Sequence, residues 1–200
     1  MIRNTVILVF GLLFLLPVLA GEPVVRKDGV PGITEAPPGG DFSLHSSRGP
    51  FSLKDLQGKV VLLYFGYTRC PDVCPTSLSF MTQALNMLND EELKKVQGVL
   101  VSVDPKRDTF DVLDEYAEYF HPNLMGVTGS EKEVAVAAGL YGAQYYEVEL
   151  KGSAFGYSVN HSAVTYLIGK EGELRFIFPH GTPSSVILEA IRYSLAGNST

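Results

Sequence analysis

Two hundred residues with 46% hydrophobic content can bury one core and carry short appendages, and no repeat divides the chain. A formal net charge of −6, with no basic cluster, excludes nucleic acid as a partner. Two cysteines are too few for a disulfide framework and leave one structural bridge, two buried thiols or a functional pair.

Residues 1–20 begin with Arg3 and continue as an uncharged apolar run from Val6 to Ala20. With Val18, Leu19 and Ala20 before Gly21, the segment reads as a secretory signal. Left uncleaved, it is just long enough for a membrane anchor, since a span takes about 17–25 residues. Arg3 would then stay cytoplasmic. Either way the domain is expected to be exported, periplasmic or anchored on the outer side of the cytoplasmic membrane. A mitochondrial transit peptide would be richer in Arg and Ser, so a bacterial export signal fits better. Residues 21–40 hold Pro23, Pro31, Pro37, Pro38 and five glycines, which reads as a linker. The domain is expected over 41–196, with a tail over 197–200.

Within the domain, 41–44 and 51–53 read as short strands around a turn. Residues 60–65, the unbroken run VVLLYF, suit a strand buried on both faces, ended by Gly66. After Pro75, Leu78, Met81, Leu85 and Leu88 mark a helix closed near Asn89 and Asp90. Residues 99–103 form a second buried strand ended by Asp104 and Pro105. Asp108 or Thr109 caps a helix to about 120. A short strand at 124–127 precedes a capping box of Ser130 and Glu133, which opens a helix to about 138. An extended piece at 141–150 and a glycine-containing loop lead to a strand at 163–168. The turn Lys170-Glu171-Gly172 makes a hairpin with 174–178. Thr182 caps, and Pro183 starts, a last helix to about 195. This order is a thioredoxin-like α/β pattern: a central mixed sheet flanked by helices, with an N-terminal hairpin. In such sheets chemistry gathers at the carboxyl ends of the strands.

Cys70 and Cys74 sit at one such end, where a buried strand gives way to a helix N-terminus; Pro71 and Pro75 each follow a cysteine. Unpaired helix N–H groups and Arg69 favour the thiolate. On one helical turn the two Cα atoms would lie about 6 Å apart, near the upper end of disulfide reach. Two thiolates on one face also make a clamp for a soft ion, Cu(I) ahead of Zn(II), and either ion needs a third ligand, normally imidazole. His121 reads as structural or exposed at a helix C-terminus, and His45 and His180 as solvated. His161 stands in a loop at the mouth of a strand, and spacing alone leaves it either a ligand or not. Met81, Met87 and Met125 read as core.

Four stretches carry a resemblance: GKVVLLYFGYTRCPDVCPTSL, SVDPKRDT, FHPNLMGVTG and VNHSAVTYLI. Together they resemble the Sco/SenC family over about 41–195, and CPDVCP is highly specific. The resemblance implies a thioredoxin-like, membrane-tethered or exported protein that helps deliver copper to the binuclear copper site of cytochrome c oxidase. It implies Cys70, Cys74 and His161 as metal ligands, holding Cu(I) or Cu(II). The implied partner is the copper-binding subunit of the oxidase, with other copper carriers or thiol reductants beside it. Family members commonly carry Asp before the histidine, whereas this chain has Asn160. Asp72 and Asp104 are candidates for groups behind the ligands or facing a partner, and for Asp104 a strand-ending turn is the alternative. The competing function is a thiol–disulfide oxidoreductase in which Cys70 and Cys74 are the redox pair. A peroxiredoxin-like peroxidase would place threonine where this chain has Tyr67.

Overall fold

The structure, a computed structural model, describes residues 37–153 and 156–197. The expected signal or anchor, most of the linker and the end of the tail lie outside the described residues. Residues 37–40, at the end of the expected linker, already touch the domain: Gly39 N–H donates to Leu140 O at 2.9 Å, and Pro37 and Gly39 are buried.

A hairpin comes first, β1 (Ser43–Ser46) antiparallel to β2 (Gly49–Ser52), followed by a short 3-10 turn. Next is β3 (Val60–Gly66), buried at every position, as its unbroken apolar run requires of a central strand. Helix α1 (Val73–Asn86) and the single turn α2 (Asp90–Leu93) return the chain to β4 (Val96–Ser102), parallel to β3. Helix α3 (Phe110–Phe120) then leads to β5 (Leu124–Val127), parallel to β4. Helix α4 (Glu131–Leu140) is followed by β6 (Tyr145–Glu149) and β7 (Tyr157–His161), an antiparallel pair. Strands β8 (Val164–Ile168) and β9 (Leu174–Pro179) and helix α5 (Ser184–Leu195) complete the chain.

The five-stranded sheet runs β5-β4-β3-β8-β9, with β8 antiparallel to β3 and β9 antiparallel to β8. This is the expected mixed sheet, with the most hydrophobic strand at its centre. Helix α1 packs against α5, and α3 against β5. The N-terminal hairpin lies against the β5 end of the sheet through paired backbone bonds between His45 and Thr128, at 2.8 and 2.9 Å. Its docking there covers backbone groups that an open sheet edge would expose.

The expected helix starts hold at Ser130, whose side chain accepts from Glu133 N–H, and at Thr109, which accepts from Val112 N–H. Four expectations need correction. Helix α1 starts at Val73 and ends at Asn86, and Asn89 caps α2 instead, accepting from the N–H groups of Glu91 and Glu92. Pro183, not Thr182, occupies the α5 cap; the Thr182 hydroxyl donates to Pro179 O at 2.7 Å. Met87, read as core, is 43% exposed because α1 stops beneath it, whereas Met81 is fully buried. Strand β7 was not expected, and His161 is its last residue rather than part of a loop.

Candidate metal centre

The site forms where β3 ends. Cys74 lies in the first turn of α1, with no exposed surface. Cys70 lies before the helix, in the turn between β3 and α1, so the pair does not share one helical turn as the spacing allowed. Both are free thiols. His161 arrives from the end of β7, half-buried, with Nε2 at 3.1 Å from Cys74 Sγ and 3.7 Å from Cys70 Sγ. The three donor atoms all lie within 4.8 Å of one another.

Several features hold these atoms in place. Gly66 ends β3 directly beneath the sulfurs: a Cβ there would lie 2.8 Å from Cys74 Sγ and 2.8 Å from the Tyr64 ring. Only a residue without a side chain lets the sulfur settle against the strand end. The Tyr64 and Tyr67 rings meet the imidazole edge-on, with centroids 6.0 and 5.8 Å away. Nδ1 of His161 lies 3.2 Å from Ser162 O. A proton on Nδ1 makes that bond and turns the Nε2 lone pair to a metal, whereas a proton on Nε2 lets the ring donate to the Cys70 sulfur when no metal is bound.

The two thiols are driven apart in acidity. A hydrogen bond from the Cys74 thiol pulls Cys70 well below the usual thiol range, against the opposing effect of burial; His161 and the backbone N–H groups of Asp72 and Cys74 add to it. Burial, then the Cys70 sulfur beside it, pushes Cys74 up. Metal binding requires both sulfurs as thiolates, so a soft cation would displace whatever thiol protons the pair holds. Two sulfurs and one imidazole nitrogen suit Cu(I) above other ions common in cells.

The other histidines lie outside this group. His45 is exposed. His180 is exposed and sits 3.1 Å from the Ser77 hydroxyl. His121 is the C-cap of α3, but it is buried and its Nδ1 accepts from Asn123 N–H at 2.9 Å. Burial lowers its basicity, and of the two expected roles it takes the structural one. Asn160 faces away from the sulfurs and donates to Tyr146 Oη at 2.9 Å on the exposed side of the hairpin. The departure from Asp at that position leaves the donor set untouched. Asp72 is exposed at the α1 cap position and caps nothing with its side chain. Asp104 is buried and pairs with Arg107. Sequence reasoning missed Gly66, Tyr64 and Tyr67. A strand buried on both faces gives no alternation to mark which rings face the site.

A sheet of this order with two thiols at the strand–helix junction defines a thioredoxin-like protein, and the added imidazole defines one built to hold a soft metal. The SCO1/SenC family model matches residues 31–196, and the chain belongs to that family. It is 36% identical over 171 residues to an SCO2-like protein of Rickettsia felis, spanning 84% of this chain and 80% of that one. The structure of Arabidopsis thaliana ScoI with copper bound superposes with a TM-score of 0.71 at 34% identity, covering 80% of this chain and 99% of that one. Yeast Sco1 with copper bound gives a TM-score of 0.72 at 30% identity, covering 82% of this chain and 91% of that one.

Proposed function

We infer that this protein holds one copper ion between Cys70, Cys74 and His161 and passes it on during assembly of cytochrome c oxidase. The observation that carries the reading is the meeting of three soft or borderline donors from two distant segments, within 4.8 Å. The copper-bound plant and yeast relatives share the fold and support copper as the cargo. The family's place in oxidase assembly supports the client. The copper-binding subunit of the oxidase is the recipient we favour. A donor set of three leaves room for an incoming thiolate, so cargo can move by ligand exchange without passing through free solution. The reading of residues 1–20 supports work on the exported side of a membrane.

The test is copper stoichiometry on the reduced chain. We expect one copper per wild-type chain, loss of tight binding in Cys70→Ala and Cys74→Ala, and weakened binding in His161→Ala. Full stoichiometry in Cys70→Ala would reject the ligand set.

A second reading rests on the same two sulfurs. Cys70 is held toward thiolate and Cys74 toward thiol. Attack of the Cys70 thiolate on a client disulfide, followed by attack of Cys74 on the mixed disulfide, releases two client thiols and leaves Cys70 and Cys74 oxidised. His161→Ala separates the two readings: it should weaken copper binding and largely spare disulfide reduction.

A further inference from the structure

The hairpin that delivers His161 is a two-stranded sheet of its own, with no ladder to the central sheet among the described residues. The loop that delivers Cys70 is likewise outside any helix or strand. Something must fix the distance between them, and the turn that follows β4, residues 104–108, touches both.

On the hairpin side, Arg107 Nη1 donates to Tyr157 O at 2.8 Å, and its guanidinium carbon sits 3.7 Å over the Tyr157 ring. The Tyr157 hydroxyl donates to Asp104 Oδ1 at 2.7 Å, and Arg107 Nε donates to Asp104 Oδ2 at 2.5 Å. Tyr157 opens the strand that His161 ends. The Asp104 and Arg107 side chains are only 1% and 11% exposed, so this charge-assisted network is shielded from water. Lys106 adds ion pairs to Glu147 on β6 and Glu131 on α4, but these are exposed and add little. On the cysteine side, the buried Asp108 carboxylate accepts from Thr68 N–H at 3.0 Å, from the Thr68 hydroxyl at 2.6 Å and from the Ser102 hydroxyl at 2.6 Å. Thr68 stands two residues before Cys70. The Tyr67 hydroxyl, accepting from Val159 N–H at 3.2 Å, closes the circuit between loop and hairpin.

We propose that the turn 104–108 is the brace that sets the span between the imidazole and the sulfurs. Asp104, Arg107 and Tyr157 are positioning residues for His161, and Asp108 is a positioning residue for Cys70. The proposal rests on the copper reading above. None of these side chains touches the cargo; they act through the ligands. Releasing the brace frees the hairpin to carry His161 away from the sulfurs, leaving a two-sulfur site that holds copper less tightly.

The experiment is a double-mutant cycle on the reduced full chain, with Cu(I) affinity read by competition with a chromophoric Cu(I) chelator. Arg107→Gln breaks the network. Tyr157→Phe removes one hydrogen bond while keeping the ring under the guanidinium, so it keeps the test alive if Arg107→Gln fails to fold. Each is expected to weaken Cu(I) binding by roughly 10- to 100-fold when His161 is present, the range typical of groups that orient a ligand. In a His161→Ala background the same substitutions should change nothing, because their effect runs through the imidazole. Equal losses in both backgrounds, or no loss from Tyr157→Phe in the chain that retains His161, would overturn the brace. Wild-type affinity in His161→Ala alone would instead overturn the ligand assignment beneath it.

Discussion

At the scale of single residues, the site depends on what stands beneath the sulfurs as much as on the sulfurs. Gly66→Ala would put a methyl group 2.8 Å from Cys74 Sγ. The strand end is buried, so the sulfur and the Tyr64 ring, rather than the backbone, must move. We expect copper affinity to fall by about tenfold or more, as when a ligand's support is removed, with the fold retained. Chelator competition and circular dichroism on the same sample check it. His121 makes a pH prediction away from the site. Its folded-state basicity is lowered by burial, so the unfolded chain binds the proton more readily. Its contribution to stability is therefore full above the ordinary histidine value, about 6.5, and is lost as pH falls through the lower folded value. Thermal midpoints should drop between about pH 7 and 5, with a shallower slope in His121→Asn, which keeps an acceptor for Asn123 N–H and does not titrate. An unchanged slope would assign the acid sensitivity to other groups. The cysteine pair was legible from spacing and its flanking prolines, since few other chemistries need thiols at a strand–helix junction. Gly66 and Tyr67 were not legible as site residues, because nothing local says which atoms lie under a sulfur contributed by the next element.

At the scale of elements, β3, α1, β4, α3, β8 and β9 were readable because each carries its own signal: an apolar run, a helical period or a cap. Strand β6 lies within the extended piece expected at 141–150, but β7 and the pairing of the two were not readable. Tyr145–Glu149 is mostly exposed, and two glycines and Ser153 interrupt the segment before Tyr157, so no apolar alternation announces a hairpin. It is held to the body through buried polar contacts that leave no periodic trace. Among the described residues the hairpin has no third strand, whereas β3 is paired on both sides. Two-stranded sheets are marginal alone, so β6–β7 should open well below the global unfolding free energy. Amide hydrogen exchange on the copper-free chain should show the backbone N–H groups of β3 and β4 exchanging slowest and those of β6 and β7 faster. Equal protection in the hairpin and the central strands would contradict a separately opening element.

At the scale of the whole molecule, the buried sheet is the fixed part and the site hangs from one end of it. Core damage should act on stability and leave the donor set alone. Leu63→Ala, at a fully buried position in the central strand, should cost about 2–5 kcal/mol and lower the thermal midpoint without changing the copper stoichiometry of the protein that stays folded. Cargo should act in the opposite direction. A ligand bound only by the folded state raises its stability by mass action, so one equivalent of Cu(I) should raise the midpoint of the wild type but not that of Cys74→Ala. The mixed sheet was legible in the sequence because element order fixes it. His161 became legible as a candidate ligand only through the VNHSAVTYLI motif, since the strand that carries it has no local signature.

The most direct test of the central claim is X-ray absorption at the copper edge of the reduced, copper-loaded full chain, alongside His161→Ala. The account predicts two sulfurs and one imidazole nitrogen around copper in the wild type, with the nitrogen lost and both sulfurs retained in the variant. A copper shell lacking either sulfur, or an imidazole contribution that persists without His161, would contradict it.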